Sequence, residues 1–280
     1  MSGTVAKVPQ LRTQRARKEA LFRWLVLTPV LLFLAIPLLS MVLFSLRYPL
    51  TGKWTNRAWQ LIFGGGEDGA EVLEPLWEGL VVSLGLGLFT IVLMLALLLP
   101  VMLSLRLRPS PLSRIVEFTC LLPLAIPAIV LVVGLAPIYR WLAVNVLSTN
   151  SIWLALAYAI LVLPYSYRAL DAGFGAVNIK TLVEAGRSLG CSWFGVMFRI
   201  VIPTLRQAIL SACFISIAVV MGEYTIASLL NRTNLQVGLF LVGQSDPMVA
   251  TAMSLLTLTL GIVLLLTLGL VGSARKGRRS

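Results

Sequence analysis

Six apolar stretches, about 24–46, 79–103, 115–137, 151–167, 207–229 and 250–272, occupy most of this 280-residue chain. Each approaches the roughly 20 residues that a helix rising 1.5 Å per residue needs to cross the hydrocarbon core of a bilayer. Lipid offers a bare peptide group no partner, so a spanning segment closes its own hydrogen bonds, which a helix does within one segment. The pattern predicts an all-α membrane protein with six transmembrane helices. Composition agrees: 58% of residues are apolar and 12% charged. The chain divides into a basic tail (1–23), a first span with its outer loop (24–74), a core of five spans (75–272) and a second basic tail (273–280). The apolar run Trp24 to Leu46 is too long for the core of a signal peptide and no small-x-small cleavage site follows it, so it counts as a span.

A net charge of +12 would suggest nucleic acid in a soluble protein, but its distribution here has another cause. With the N-terminus inside, all of the 23 basic residues except Arg47, Lys53, Arg57, Arg140 and Arg232 fall on the cytoplasmic side. Five acids (Glu67, Asp68, Glu71, Glu74, Glu78) gather at the first outer loop. This positive-inside asymmetry places both termini in the cytoplasm. The tails Arg12 to Lys18 and Arg275 to Arg279 read as anchors on anionic lipid, with no nucleic-acid partner. Residues 1–23 are expected to be flexible up to a short amphipathic lead-in at Glu19 to Arg23.

Several chemistries lack their residues. Cys120, Cys191 and Cys213 make no disulfide or metal pattern and read as packing residues. Gly64-Gly65-Gly66 is not followed by the Gly-Lys-Ser/Thr of a phosphate-binding loop. No histidine and no intramembrane carboxylate pair is present to relay protons or to build a catalytic site. The chain reads as a non-enzyme that binds no cofactor and no metal.

Between the fourth and fifth spans lies the polar run Glu184-Ala185-Gly186-Arg187-Ser188-Leu189-Gly190, and after nine residues Ile200-Val201-Ile202-Pro203. Residues 181–189 and 192–200 can each form a short helix, with Gly190 as the turn between them. In the second, Trp193, Val196, Met197 and Ile200 recur at i, i+3, i+4 and i+7 and make one apolar face. Pro203 is expected to set the break before the fifth span. Such a hairpin either docks in a groove of a partner or lies flat on lipid. Its spacing resembles the EAA loop of ABC-importer permeases, with Gly186 for the usual second Ala and Ile202 for the usual Leu. The resemblance favours docking and covers roughly residues 75–270.

Pro123 and Pro127 in the third span and Pro164 near the inner end of the fourth are expected to kink their helices. The run from Pro123 to Gly134 is similar to a core helix of polyamine and iron(III) importer permeases. Glu223, in Gly222-Glu223-Tyr224, is the one clearly interior charge, about sixteen residues into the fifth helix. An ionised group there costs roughly 2.5–3.5 kcal/mol on insertion scales, which makes it a functional candidate. Two roles stay open for it: lining the pathway, or capping a neighbouring helix terminus at an outer gate. Gly-Glu-Tyr at this place resembles permeases for polyamines, iron(III), phosphonate, sulfate and molybdate. Asn231, Asn234, Gln236, Gln244 and Asp246 of the last outer loop are expected to meet a periplasmic binding protein.

The resemblance implies a type I ABC importer permease in the bacterial inner membrane. Its implied partners are a cytoplasmic ATPase dimer that carries ATP and Mg, a second permease (a homologous sibling rather than an identical copy), and a soluble or lipid-anchored substrate-binding protein. Glu184, Ala185, Gly186, Gly190, Trp193, Ile200, Ile202 and Pro203 would couple to the ATPase. A small polar solute, foremost spermidine or putrescine, would be the cargo. The alternative is an ion- or proton-coupled carrier that works without an ATPase.

Overall fold

A computed structural model describes residues 8–48, 50–64, 67–108, 110–146 and 148–274. Side chains are described from Arg23 to Val263, Glu67 and Asp68 excepted. Residues 1–7, Gly65, Gly66 and the basic run Arg275 to Arg279 lie outside the described residues, as do the side chains of Arg12 to Lys18.

The described residues are mostly helical: α1 (Val8–Leu46), α2 (Arg57–Phe63), α3 (Glu67–Leu107), α4 (Leu112–Leu121), α5 (Ala128–Asn145), α6 (Ala155–Gly175), α7 (Ile179–Ser188), α8 (Trp193–Val196), α9 (Ile202–Thr204), α10 (Arg206–Met221), α11 (Thr225–Leu229), α12 (Leu235–Ser245) and α13 (Pro247–Ala274). An isolated bridge pairs Arg47 with Trp54. Among the described residues, Arg23–Leu46, Gly69–Leu107, Ala128–Asn145 and Ser151–Gly175 are long and apolar enough to cross a membrane. Trp193–Thr204 and Arg206–Met221, bent by 80° at Leu205, pass the same test as a pair. Leu235–Ser245 and Pro247–Val263 are apolar but shorter.

Four expectations need correction. The basic tail is helical from Val8 onward rather than flexible to its lead-in, and α1 runs unbroken into the first apolar stretch. The first outer loop holds α2, and α3 begins at Glu67, twelve positions before the apolar run at 79. The third stretch is not a kinked helix over 115–137. Proline lacks an amide proton and restricts the residue before it, so Pro123 falls in a 3-10 turn (Leu122–Ala125) and Ile126 is extended. Pro127 at ψ 139° caps a separate α5. The fifth helix stops at Met221 rather than at 229. Pro164, by contrast, is buried inside an α6 that continues to Gly175.

The chain forms two compact units. In the first, residues 1–72 and 243–280, α1 packs against α13 and α2. Trp59 Nε1 donates to the buried Ser45 hydroxyl at 3.3 Å. Asp246 accepts the amides of Met248 and Val249 at 3.1 and 3.2 Å, capping α13, while Arg57 Nη1 binds its other oxygen at 2.8 Å.

The second unit, residues 73–242, holds the main core. Leu86, Met94, Leu98 and Leu103 of α3 are buried in it, as are Tyr158, Val162, Leu170 and Phe174 of α6. The most extensive helix pair is α6 with α10. Across it the buried Ser166 and Ser216 hydroxyls meet at 3.0 Å, and Ser216 donates on to Ala212 O at 2.8 Å. Hydroxyls that return to their own helix carbonyls keep polar atoms satisfied where no water reaches.

Candidate functional site

The polar run between α6 and α10 folds as a capped hairpin. Asn178 Oδ1 accepts from Thr181 N at the start of α7, and Ser192 Oγ accepts from Gly195 N at 3.2 Å at the start of α8. Between the arms, Gly190 adopts φ +83°, a left-handed conformation that glycine takes without a Cβ penalty. Its amide returns to Arg187 O at 2.9 Å and that of Cys191 to Gly186 O at 3.0 Å, satisfying carbonyls at the end of α7. The second arm leaves the α-helical register after Val196 and passes through a π-turn, Met197–Val201, into α9. The sharp bend follows Pro203 by two residues.

The arms pack on each other closely. A Cβ added to Gly186 would lie 2.3 Å from Ile200 Cδ1, so any larger residue there requires the end of the Ile200 side chain to move. Ile179, Val183, Val196, Met197 and Val201 are buried with it. Here the expected apolar face is redistributed. Val196 and Met197 are buried within the hairpin, Ile200 is half-buried against Gly186, and Trp193 remains partly exposed. The large apolar groups left outward are Leu182, Leu189, Phe194 and Phe198, the last two 74% and 64% exposed. A π-turn adds a residue to one helical loop and shifts the face, so i, i+3, i+4, i+7 spacing does not hold along this arm.

Glu184 and Ala185 are exposed on α7. The Glu184 carboxylate lies 3.9 Å from Lys180 Nζ, a spacing of i to i+4 with both side chains mostly exposed. Such a pair is worth less than about 1 kcal/mol, so a partner's cation can replace the lysine at small cost. Ile202 is half-buried and Pro203 exposed.

Glu223 sits in the break between α10 and α11 and not within a helix. It is 7% exposed. Its Oε1 accepts from Ile226 N at 2.7 Å and its Oε2 from Ala227 N at 3.4 Å, so the carboxylate occupies the N-terminus of α11. The hydroxyl of the fully buried Tyr158 donates to Oε2 at 2.9 Å. Asn234 Nδ2 donates to Tyr158 Oη at 3.1 Å and to Glu223 O, and its Oδ1 accepts from Val237 N at 2.8 Å. Nearby, Ser83 Oγ accepts from Leu235 N at 2.8 Å. Helix-end amides and a phenol stabilise a carboxylate that lipid would otherwise reject. Gly222 is exposed, and Tyr224 leans on Phe240 with ring centroids 5.4 Å apart.

The last loop also departs from expectation. Asn234 is buried, Gln236 donates to Met221 O at 2.8 Å, and Asp246 is committed to its cap and Arg57. Asn231 and Gln244 remain exposed. Tyr158 escaped sequence reasoning because a tyrosine in an apolar span has no periodicity of its own. The only local signal is the small-residue setting Ala155, Ala157 and Ala159, which leaves room for close approach.

Helices of bilayer length joined by a capped polar hairpin define a multi-pass membrane protein. The family model described as "Binding-protein-dependent transport system inner membrane component" matches residues 96–276, and the chain belongs to that family. The match spans both the hairpin and the Glu223 network. A comparison with curated proteins finds no match. The chain is thus an inner-membrane permease subunit of an ABC importer, a class that works with an ATPase and a substrate-binding protein.

Proposed function

We propose that the hairpin from Ile179 to Thr204 is the element through which ATP hydrolysis on a separate ATPase dimer moves the permease helices. The observation that carries this reading is its division of labour. Gly186, Val196 and Val201 are consumed in holding the arms together, while Glu184, Phe194 and Phe198 stay outward. An acidic group and exposed aromatics carried on the same hairpin suit a groove with an apolar floor and a basic rim. ATP and Mg belong to the ATPase and none binds here. The fold is a six-span type I permease with both termini cytoplasmic, as the positive-inside asymmetry supports.

The cargo is a small polar solute handed over by a binding protein, and the pathway forms against a second, homologous permease. Spermidine or putrescine is the first choice, on the resemblance of the Pro123 to Gly134 run and Gly222-Glu223-Tyr224. Iron(III) and aminoethylphosphonate follow. Glu223 is satisfied by Tyr158 and two amides, so its part is to hold the α10–α11 break, with selectivity set elsewhere.

The test is uptake by cells carrying Glu184→Lys. Transport should be lost with the chain still in the membrane and the ATPase no longer co-purifying. Normal uptake, or a wild-type chain that never captures an ATPase, contradicts the reading.

A further inference from the structure

The ends of α3 and α6 border, with α4, an open-sided cavity of about 420 Å³ lined by Met102, Leu105, Arg106, Ser113, Glu117, Tyr167 and Asp171. That volume falls in the range of about 300–1,000 Å³ seen for small-molecule sites. Two ion pairs border it: Arg106 to Asp171 at 2.5 Å and Arg168 to Glu117 at 3.3 Å. All four side chains are between 36% and 59% exposed. Pairs so exposed hold by less than about 1 kcal/mol, so their members can re-pair with a ligand. The four charges sum to zero, which disfavours a bare cation or anion and favours a ligand that carries one of each.

Depth and neighbourhood narrow the class further. Arg106 is in the last turn of α3 and Asp171 in the last third of α6, two helices of membrane-spanning length. The cavity therefore lies where apolar spans give way to water, at head-group level. Beside it α4 presents Leu112, Ile115 and Phe118 at i, i+3 and i+6, all more than half exposed, while Ser113 and Glu117 of the same helix line the cavity. A polar, charge-balanced pocket beside an apolar stripe fits an amphiphile better than a free solute.

We infer that this cavity binds the head group of a phospholipid with a primary amine, a phosphatidylethanolamine, in the adjoining leaflet. Arg106 takes the phosphate oxygens, Asp171 and Glu117 take the ammonium N–H groups, and α4 carries the acyl chains along Leu112, Ile115 and Phe118. A choline head group lacks N–H donors for the carboxylates. A glycerol head group lacks the cation altogether and leaves both acids unmatched. The inference does not depend on the coupling role of the hairpin, since lipid retention is read without ATP or cargo.

The experiment is native mass spectrometry of the full chain in its purified transporter. The complex is first stripped of lipid in detergent, then titrated with phosphatidylethanolamine, phosphatidylcholine or phosphatidylglycerol. The wild type should hold phosphatidylethanolamine about tenfold more tightly than either other lipid, and Asp171→Asn should remove that preference. The head-group series on the wild type needs no variant, so a misfolded Asp171→Asn does not spoil it. Equal retention of the three lipids overturns the proposal. So does unchanged preference in a folded Asp171→Asn. A third arm adds soluble phosphoethanolamine: if it displaces the lipid at equal concentration, the occupant is a free zwitterion and the lipid assignment fails.

Discussion

Tyr158 and Glu223 lie 65 positions apart in the chain, yet the phenol of the fully buried tyrosine donates to the buried carboxylate at 2.9 Å. The contact joins α6 to the break after α10, and Asn234 closes it from the start of α12. Three elements thus depend on one carboxylate.

Tyr158→Phe leaves Glu223 Oε2 with only the long bond from Ala227 N and takes away one of the two acceptors of Asn234 Nδ2, at about 1–3 kcal/mol where a buried polar group is left under-satisfied. Glu223→Ala loses the α11 cap as well, about 0.5–2 kcal/mol more. Thermal unfolding in detergent should order the two variants Tyr158→Phe above Glu223→Ala, both below wild type. Equal Tm values for all three would remove the network from any structural role.

Gly186→Val should separate the hairpin arms, because its side chain occupies the place of Ile200 Cδ1. Shortening the neighbour restores the room, so Gly186→Val with Ile200→Ala should recover part of the protease resistance that Gly186→Val loses near residues 179–204. No recovery in the double variant would mean that the contact does not set the approach of the arms.

At Gly190 the difficulty is the backbone and not space: an added Cβ would meet nothing within 4 Å. Gly190→Val should therefore destabilise by roughly 1–2 kcal/mol, and Gly190→Asn by less, since asparagine tolerates a left-handed backbone. Circular-dichroism melts of the two variants check the order. A milder effect of valine than of asparagine would overturn it.

Phe194→Ser and Val196→Ser separate docking from folding. Phe194 is largely exposed and Val196 fully buried. Phe194→Ser should leave the stability within about 0.5 kcal/mol of wild type yet weaken ATPase capture, as loss of an aromatic anchor commonly costs 2 kcal/mol or more. Val196→Ser should lower the Tm first. Full ATPase capture by Phe194→Ser would exclude that ring from the contact.

In the first unit, Asp246→Asn keeps a cap for α13 and loses the ion pair with Arg57, whose arginine side chain is 56% exposed and whose aspartate side chain is 11% exposed. Asp246→Ala loses the cap too and should cost about 0.5–2 kcal/mol more. Urea titration of both variants measures the difference, and equal midpoints would deny the cap its value.

How much was legible differs by element. Trp24 to Leu46 and 79–103 read well as spans although their helices run through Pro29, Pro37 and Pro100, because transfer into lipid depends on composition over about 20 residues. The turn falls at Gly190 as the sequence suggests, because a left-handed backbone is a local requirement that glycine meets, whereas the caps Asn178 and Ser192 emerge only in the structure. The apolar face Trp193, Val196, Met197, Ile200 read only in part, since the π-turn after Val196 shifts the face and packing against α7 takes its centre. Pro123 and Pro127 announced a disturbance, but whether a helix kinks or breaks depends on neighbours able to receive the freed backbone groups.

By itself, then, the order of residues decided that this chain lives in a membrane, where its polar hairpin falls and which glycine turns it. Those outcomes rest on local propensity and on the cost of charge in lipid. Only the tertiary structure decided that Glu223 caps α11 under Tyr158, that Asn234 is buried and that Gly186 touches Ile200. Each of these joins positions distant in the chain, and pairing across helices is fixed by three-dimensional packing that no one-dimensional pattern carries.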